Sequence, residues 1–229
     1  MPTSAQQISK FKLDQRGFSL IEVLVALILV SMMFLAIPSG DNTQQHRDLQ
    51  TAVDDIDRSI RFASNESILR NTVVRLSIDM DKTPVQYNVE YGPPGNIPLP
   101  DMTQEKTTLS LAEEKAEKEK LTKLDQQFTK VEEFEEILHE ISDDVTIQGV
   151  ASSSQKKMFT DGKAYLYFYP TGEKDGGLIF FATEQEIAYL EIQPFLSETN
   201  TSFEVFDVAK GEDFIQTRMD EVYKQWIGK

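Results

Sequence analysis

Two histidines, His46 and His139, are the residues through which any imidazole chemistry would have to run. Glu136-Ile137-Leu138-His139 has the Glu-x-x-His spacing that puts two metal ligands on one helix face, but a carboxylate di-metal site needs two such pairs. A surface histidine among glutamates is the plainer account of it. Ser153-Ser154-Gln155-Lys156-Lys157 contains two overlapping Ser-x-x-Lys matches, the spacing of a lysine-activated serine. Neither Ser-Asp-Asn nor Lys-Thr-Gly accompanies them, so they read as a polar loop. Asp79 with Asp81, or Glu173 with Asp175, could offer oxygens to calcium, although hairpin turns use the same residue types. Gly172 and Gly176-Gly177 lack the Lys-Ser/Thr that completes a phosphate cradle. The chain has no cysteine, which excludes disulfides, a thiol nucleophile and a thiolate zinc site. No catalytic residue, metal or cofactor is expected, and a non-enzymatic role follows.

Glu22 is the residue whose placement demands a reason. From Phe18 to Ile37 run twenty residues with this single charge, before Pro38 interrupts. At about 1.5 Å per residue a helix of that length covers about 30 Å, the thickness of a bilayer's hydrocarbon. A carboxylate in lipid costs roughly 2.5–3.5 kcal/mol at mid-span and less near the edge, so a partner outside the lipid must offset it. A secretory signal would have a shorter apolar core and a small-x-small exit, which this stretch lacks. Lys10, Lys12 and Arg16 precede the span against one acid, Asp14. By the positive-inside rule the leader stays in the cytoplasm and the remainder lies across the membrane.

Arg16-Gly17-Phe18-Ser19-Leu20-Ile21-Glu22 resembles the class III signal of type IV prepilins and type II secretion pseudopilins. In that family a prepilin peptidase cuts after the glycine and methylates the new N-terminal amine. The resemblance implies cleavage between Gly17 and Phe18, methylation of Phe18, and a registering role for Glu22, which would neutralise a neighbouring subunit's amine. It implies as partners the peptidase, sibling major and minor pseudopilins, an inner-membrane assembly platform and membrane lipid.

Charge bounds the remaining partners. The 229 residues carry 38 acids against 23 bases, a formal charge of −15. Such a chain should avoid phosphate backbones, and no nucleic-acid partner is expected. Arg58, Arg61, Arg70 and Arg75 are the residues from which a local basic strip could still be made.

The elements that must position these groups follow from periodicity. Asp41 or Thr43 could cap a second helix after Pro38-Ser39-Gly40. Leu49, Val53, Ile56, Ile60 and Ala63 form one apolar stripe on a helix ending near Asn71. Val74, Leu76, Ile78 and Met80 alternate with polar residues, as do Val85, Tyr87, Val89 and Tyr91 after the turn 81–84. That is a hairpin with one dry and one wet face, Arg75 on the wet one. Residues 92–100 read as an irregular loop.

Residues 101–144 hold 14 acids and 6 bases, with Leu121, Leu124, Phe128, Val131, Phe134, Ile137, Leu138 and Ile141 marking a helical face. An acidic helical insertion docked on the sheet is expected there. Strands follow from Val145, at 164–169, 178–181, 187–193 and 202–208. The strand at 164–169 has large residues on both faces and is expected to be central. Ile215, Met219, Val222, Tyr223 and Trp226 mark a closing helix.

The fold class is therefore α+β: a long N-terminal hydrophobic spine helix, then an antiparallel β-sheet or β-sandwich domain with an acidic helical insertion. The expected organisation is a cytoplasmic leader at 1–17, a transmembrane half of the spine at 18–37 and its amphipathic half at 38–71. A β domain at 72–208, with the insertion at 101–144, and a C-terminal helix at 209–229 complete it.

Ser64-Asn65-Glu66-Ser67-Ile68-Leu69-Arg70-Asn71-Thr72-Val73-Val74-Arg75-Leu76 and Phe168-Tyr169-Pro170-Thr171-Gly172 resemble phrases of the GspH/FimT group of minor pseudopilins. The likeness runs through the first 90 residues and loosely through 160–208; the acidic stretch departs from it. It implies a minor pseudopilin of a type II secretion pseudopilus, held in the inner membrane with its C-terminal domain periplasmic. The alternative it allows is a minor type IV pilin of the FimT type, acting in pilus biogenesis or DNA uptake.

Overall fold

An apolar run without glycine or proline forms the first helix, α1 (Leu20–Leu35). The computed structural model describes residues 19–35, 41–93, 122–123, 125–132, 139–155, 157–207, 209 and 211–228. The Ser19 carbonyl accepts the N–H groups of Glu22 at 2.9 Å and Val23 at 3.2 Å, which starts the helix. Ser19 and Glu22 have the Ser-x-x-Glu spacing of a capping box, and an acid in the first turn meets the positive end of the helix dipole. With 16 residues α1 is about 24 Å long. Among the described residues no helix is long and apolar enough to cross a membrane. The expected span of 18–37 exceeds α1; Phe18, Ala36 and Ile37 lie outside the described residues, as does the leader.

The chain divides into two compact units, residues 1–40 and 41–229. In the second, helix α2 (Asp41–Arg70) buries the expected stripe of Leu49, Val53, Ile56, Ile60 and Ala63. The expected long spine runs through residues 36–40, which lie outside the described residues; α1 and α2 are described on either side of them. α2 stops where Asn71 adopts a φ of 50°, with Thr72 N–H reaching the Ser67 carbonyl at 3.2 Å and Asn71 N–H the Ile68 carbonyl at 3.3 Å. This pair of bonds is a Schellman cap, with asparagine in the place glycine usually fills.

Two antiparallel sheets follow. The first has the order β3-β2-β1-β6, built from β1 (Val74–Asp79), β2 (Gln86–Tyr91), β3 (Thr129–Lys130) and β6 (Lys163–Phe168). β1 and β2 form the expected hairpin, Val74 opposite Tyr91 and Asp79 opposite Gln86. The second has the order β5-β4-β7-β8-β9, from β4 (Thr146–Ser152), β5 (Lys157–Phe159), β7 (Gly177–Ala182), β8 (Glu186–Ile192) and β9 (Thr199–Val205). β9 begins three residues earlier than the alternation predicts, and β5 was not expected.

One apolar cluster joins α2 to the inner faces of both sheets: Ile56 and Ile60 from the helix, Leu76 and Leu166 from the first sheet, Ile179 and Leu190 from the second. The outer face of the second sheet is closed by α3 (Gly211–Ile227), whose Met219 and Val222 pack with Leu178, Phe180 and Ile187. β7 is therefore buried along its whole length.

Three expectations need correction. β6 is the last strand of its sheet, not a central one. Its two faces are both covered because Leu166 and Phe168 enter the shared core while Tyr165 and Tyr167 gather beside Phe128 on the other side. The wet face of the hairpin is not all wet, since Arg75 is buried there. The acidic insertion is not one helix through its described part. Thr129 and Lys130 pair with Tyr91 and Glu90, and Glu140 bridges to Gln86, so two pieces of it lie along the free edge of β2. Phe128, Val131 and Ile141 are buried as the pattern predicts, but Val131 and Ile141 are held by backbone bonds along the β2 edge and Phe128 packs with Val73 and Tyr167. Residues 101–121, 124 and 133–138 lie outside the described set.

Candidate functional site

α1 places Glu22 in its first turn, three residues after Ser19, on a helix whose apolar side chains from Leu20 to Met33 are exposed. An acid at the start of an uncovered apolar rod can do one thing well. It can accept a positive charge from a partner that also covers the rod. Gly17 and Phe18, the expected cleavage pair, lie outside the described residues.

On the second unit the two histidines serve different packing contacts. His46 Nδ1 lies 2.9 and 3.1 Å from the Glu186 carboxylate oxygens, with its ring 5.7 Å from that of Phe203, tying α2 to β8 and β9. His139 packs its ring 5.4 Å from that of Tyr87, and burial lowers its pKa. Its carbonyl accepts the Tyr87 N–H at 3.1 Å. Glu136, the other half of the Glu-x-x-His match, lies outside the described residues. Among the described residues no group of three or more histidines or acids could hold a metal ion.

The serines of the Ser-x-x-Lys matches are engaged with the β6–β7 connection. Ser154 Oγ donates to Asp175 at 2.9 Å, and Ser153 Oγ accepts the Gly176 N–H at 2.9 Å. Lys157 rests over the Phe159 ring, and Lys156 is outside the described residues. The candidate calcium acids bind protein donors: Asp79 faces Lys163 at 3.7 Å and Asp81 accepts the Gly162 N–H at 2.9 Å.

The arginines of the supposed basic strip are all paired. Arg58 meets Asp55 at 2.9 Å, Arg61 meets Asp57 at 2.8 Å and Arg70 meets Glu66 at 2.8 Å. Arg75, 3% exposed, lies 2.6 Å from both Glu90 and Asp125, between the rings of Phe128 at 3.9 Å and Tyr165 at 4.0 Å. Burial pulls its pKa down, but the two carboxylates outweigh that and hold the guanidinium above its ordinary value. The alternation of Tyr165 and Tyr167 on one side of β6, continued by Tyr169 just past it, was the available signal for this aromatic box.

Asp175, named from the sequence only as a possible calcium ligand beside Glu173, is a buried acceptor. It is 6% exposed and takes hydrogen bonds from Ser154, from Ser152 at 3.3 Å, from the Tyr167 N–H at 3.3 Å and from the Tyr169 hydroxyl at 3.5 Å. Burial raises its pKa despite these donors. It lines a cavity of about 620 Å³ beside the C-terminal end of α2.

Residues 12–38 match the prokaryotic N-terminal methylation motif. No curated protein and no solved structure matches the chain. The motif, with Glu22 in the first turn of an uncovered apolar helix, indicates a type IV pilin-like precursor. A precursor of this kind is processed by a prepilin peptidase, anchored in a membrane and exported, and it assembles with other pilins.

Proposed function

We propose that this chain is a minor pseudopilin of the GspH/FimT group, serving a type II secretion pseudopilus. The peptidase cuts between Gly17 and Phe18 and methylates the Phe18 amine. Until assembly, the apolar stretch from residue 18 holds the subunit in the inner membrane, leader in the cytoplasm and second unit in the periplasm. On assembly that stretch enters the filament core, and Glu22 meets the N-terminal amine of a neighbouring subunit. The pair registers each new subunit, because a misplaced one would leave a carboxylate in an apolar surrounding without its countercharge. The protein's role is structural rather than catalytic.

The observation that carries this reading is the match over residues 12–38 with an acid in the first turn of an otherwise apolar, exposed helix. A FimT-type pilin that takes up DNA would share these N-terminal features. Ion pairing of Arg58, Arg61, Arg70 and Arg75 supports the secretion reading, since DNA uptake needs cations that are not already neutralised. Glu22→Ala should leave removal of the leader intact while sharply reducing recovery of sibling pseudopilins in a pull-down from membranes. Full recovery of the siblings with this variant would remove the registering role.

A further inference from the structure

Where α2 ends, two cavities lie side by side. The first is the 620 Å³ space lined by Asn71, Tyr169, Glu173 and Asp175. The second, about 670 Å³, is walled by Ile192, Phe195, Trp226 and Ile227. Ser153 and Pro194 belong to both and form the wall between them.

We propose that these two cavities together form a docking groove for an extended segment of a partner protein, in which a basic side chain reaches Asp175 while an apolar side chain two residues away fills the slot beside Trp226.

Charge complementarity selects the basic side chain. Asp175 is buried, and every donor it meets among the described residues is neutral: two serine hydroxyls, a tyrosine hydroxyl and a backbone N–H. Lys174 lines the same cavity, where Asp57 and Arg61 of α2 act on it, and among the described residues it makes no ion pair with Asp175. Glu173 adds a second carboxylate to the cavity. An anion held in a low-dielectric wall and facing an open cavity is stabilised by a cation that enters it. The second cavity is mainly apolar, with Glu191 its one acid, and two of its lining residues, Phe195 at 79% and Ile227, are exposed, as is Leu196 next in the chain. Such a cluster of large apolar groups at one end of a domain marks an interaction site.

A lipid tail would fill the second cavity only, and an inorganic cation would leave its apolar lining uncovered. Side chains at i and i+2 of an extended strand point to the same side about 7 Å apart, so one segment can present a side chain to each of two cavities that share Ser153 and Pro194. The groove goes beyond the assembly reading and does not depend on N-terminal processing.

Trp226 is the chain's single tryptophan, so its emission reports on the groove directly. The test titrates the full-length chain in lipid nanodiscs with the blocked peptide Ser-Gly-Lys-Ser-Phe-Gly-Ser, and with the same peptide carrying Glu in place of Lys. The basic peptide should give a saturable emission change, and the acidic one should bind at least about tenfold more weakly. Asp175→Asn should reduce the discrimination between the two peptides about tenfold. Phe195→Ser, at an exposed position where the fold is spared, should weaken the basic peptide roughly fivefold. Equal binding of the two peptides, or no emission change with either at about 1 mM, overturns the proposal. Should Asp175→Asn fail to fold, the peptide charge swap and Phe195→Ser still decide it.

Discussion

Arg75 shows how much one side chain organises. Its guanidinium meets Glu90 from the adjacent strand and Asp125 from the acidic stretch, and two rings sandwich it. Removing it strands the partners, a loss of roughly 3–5 kcal/mol for a fully buried pair. Asp125 is 42% exposed and can fall back on water, so Arg75→Ala should cost about 3 kcal/mol, read as a lower urea midpoint. Arg75→Lys should recover little of it, since an ammonium cannot serve two carboxylates and two ring faces at once. A midpoint unchanged by either substitution would show the box to be energetically idle.

Tyrosines set the alkaline limit. Burial pushes Tyr87 and Tyr165 up to about 12 from an ordinary 10.0, with Asp55 adding to the rise at Tyr87 and Arg75 opposing it at Tyr165. Both folded values lie above the unfolded ones, so this contribution is intact below pH 10 and is lost as pH rises through about 12. Urea midpoints should hold steady up to about pH 9 and then fall, and Tyr87→Phe should flatten part of the decline. A slope that is the same with and without the Tyr87 hydroxyl would refute this assignment.

At the scale of elements, legibility tracked the length of the repeat. The α2 stripe, the β1–β2 hairpin and α3 each repeat an apolar period often enough to be read from the chain; the stripe is fully buried, while Met80 and Tyr91 of the hairpin and Ile215, Tyr223 and Trp226 of α3 are only partly covered. β3 has two residues and β5 three, too few for any alternation to register. The glutamate-rich stretch carried a helical period in Phe128, Val131 and Ile141, yet the free edge of β2 captured the described residues through backbone bonds. Val131 N–H reaches the Val89 carbonyl, and Ile141 N–H the Val85 carbonyl, each at 3.0 Å. A sheet edge with unsatisfied donors and acceptors outweighs a weak helical preference. Large residues on both faces of β6 suggested a central strand because two-sided burial usually means flanking strands. Here a tyrosine and arginine layer supplies the second cover.

The seat of α3 depends on Gly149, where a Cβ would come 2.9 Å from Met219 Cε. Gly149→Val should cost about 1–3 kcal/mol through overpacking, and Met219→Ala about 2–4 kcal/mol through the cavity it leaves. Because the two side chains compete for one space, the double variant should be less destabilised than the sum, by about 1 kcal/mol in a denaturation cycle. Strict additivity would mean that α3 is not held at that point.

For the whole molecule, the N-terminal signal is local and the folded unit is not. The heptapeptide from Arg16 to Glu22 carries its meaning in consecutive residues, so the sequence alone pointed to a prepilin-like start. Asp175, Ser152 and Ser154 are joined only by the return of β7 against β4, and Trp226 comes to the same end through α3. No spacing in the chain announces that convergence. Assembly through the N-terminal helix and recognition at the end of α2 therefore rest on different residues, and either can fail without the other.

The assembly part is tested most directly by mass spectrometry of the N-terminal peptide of the protein recovered from its native membrane. A peptide that begins at Phe18 and carries one methyl group on its amine is the expected result. A mature chain that keeps residues 1–17, its amine unmodified, would contradict it.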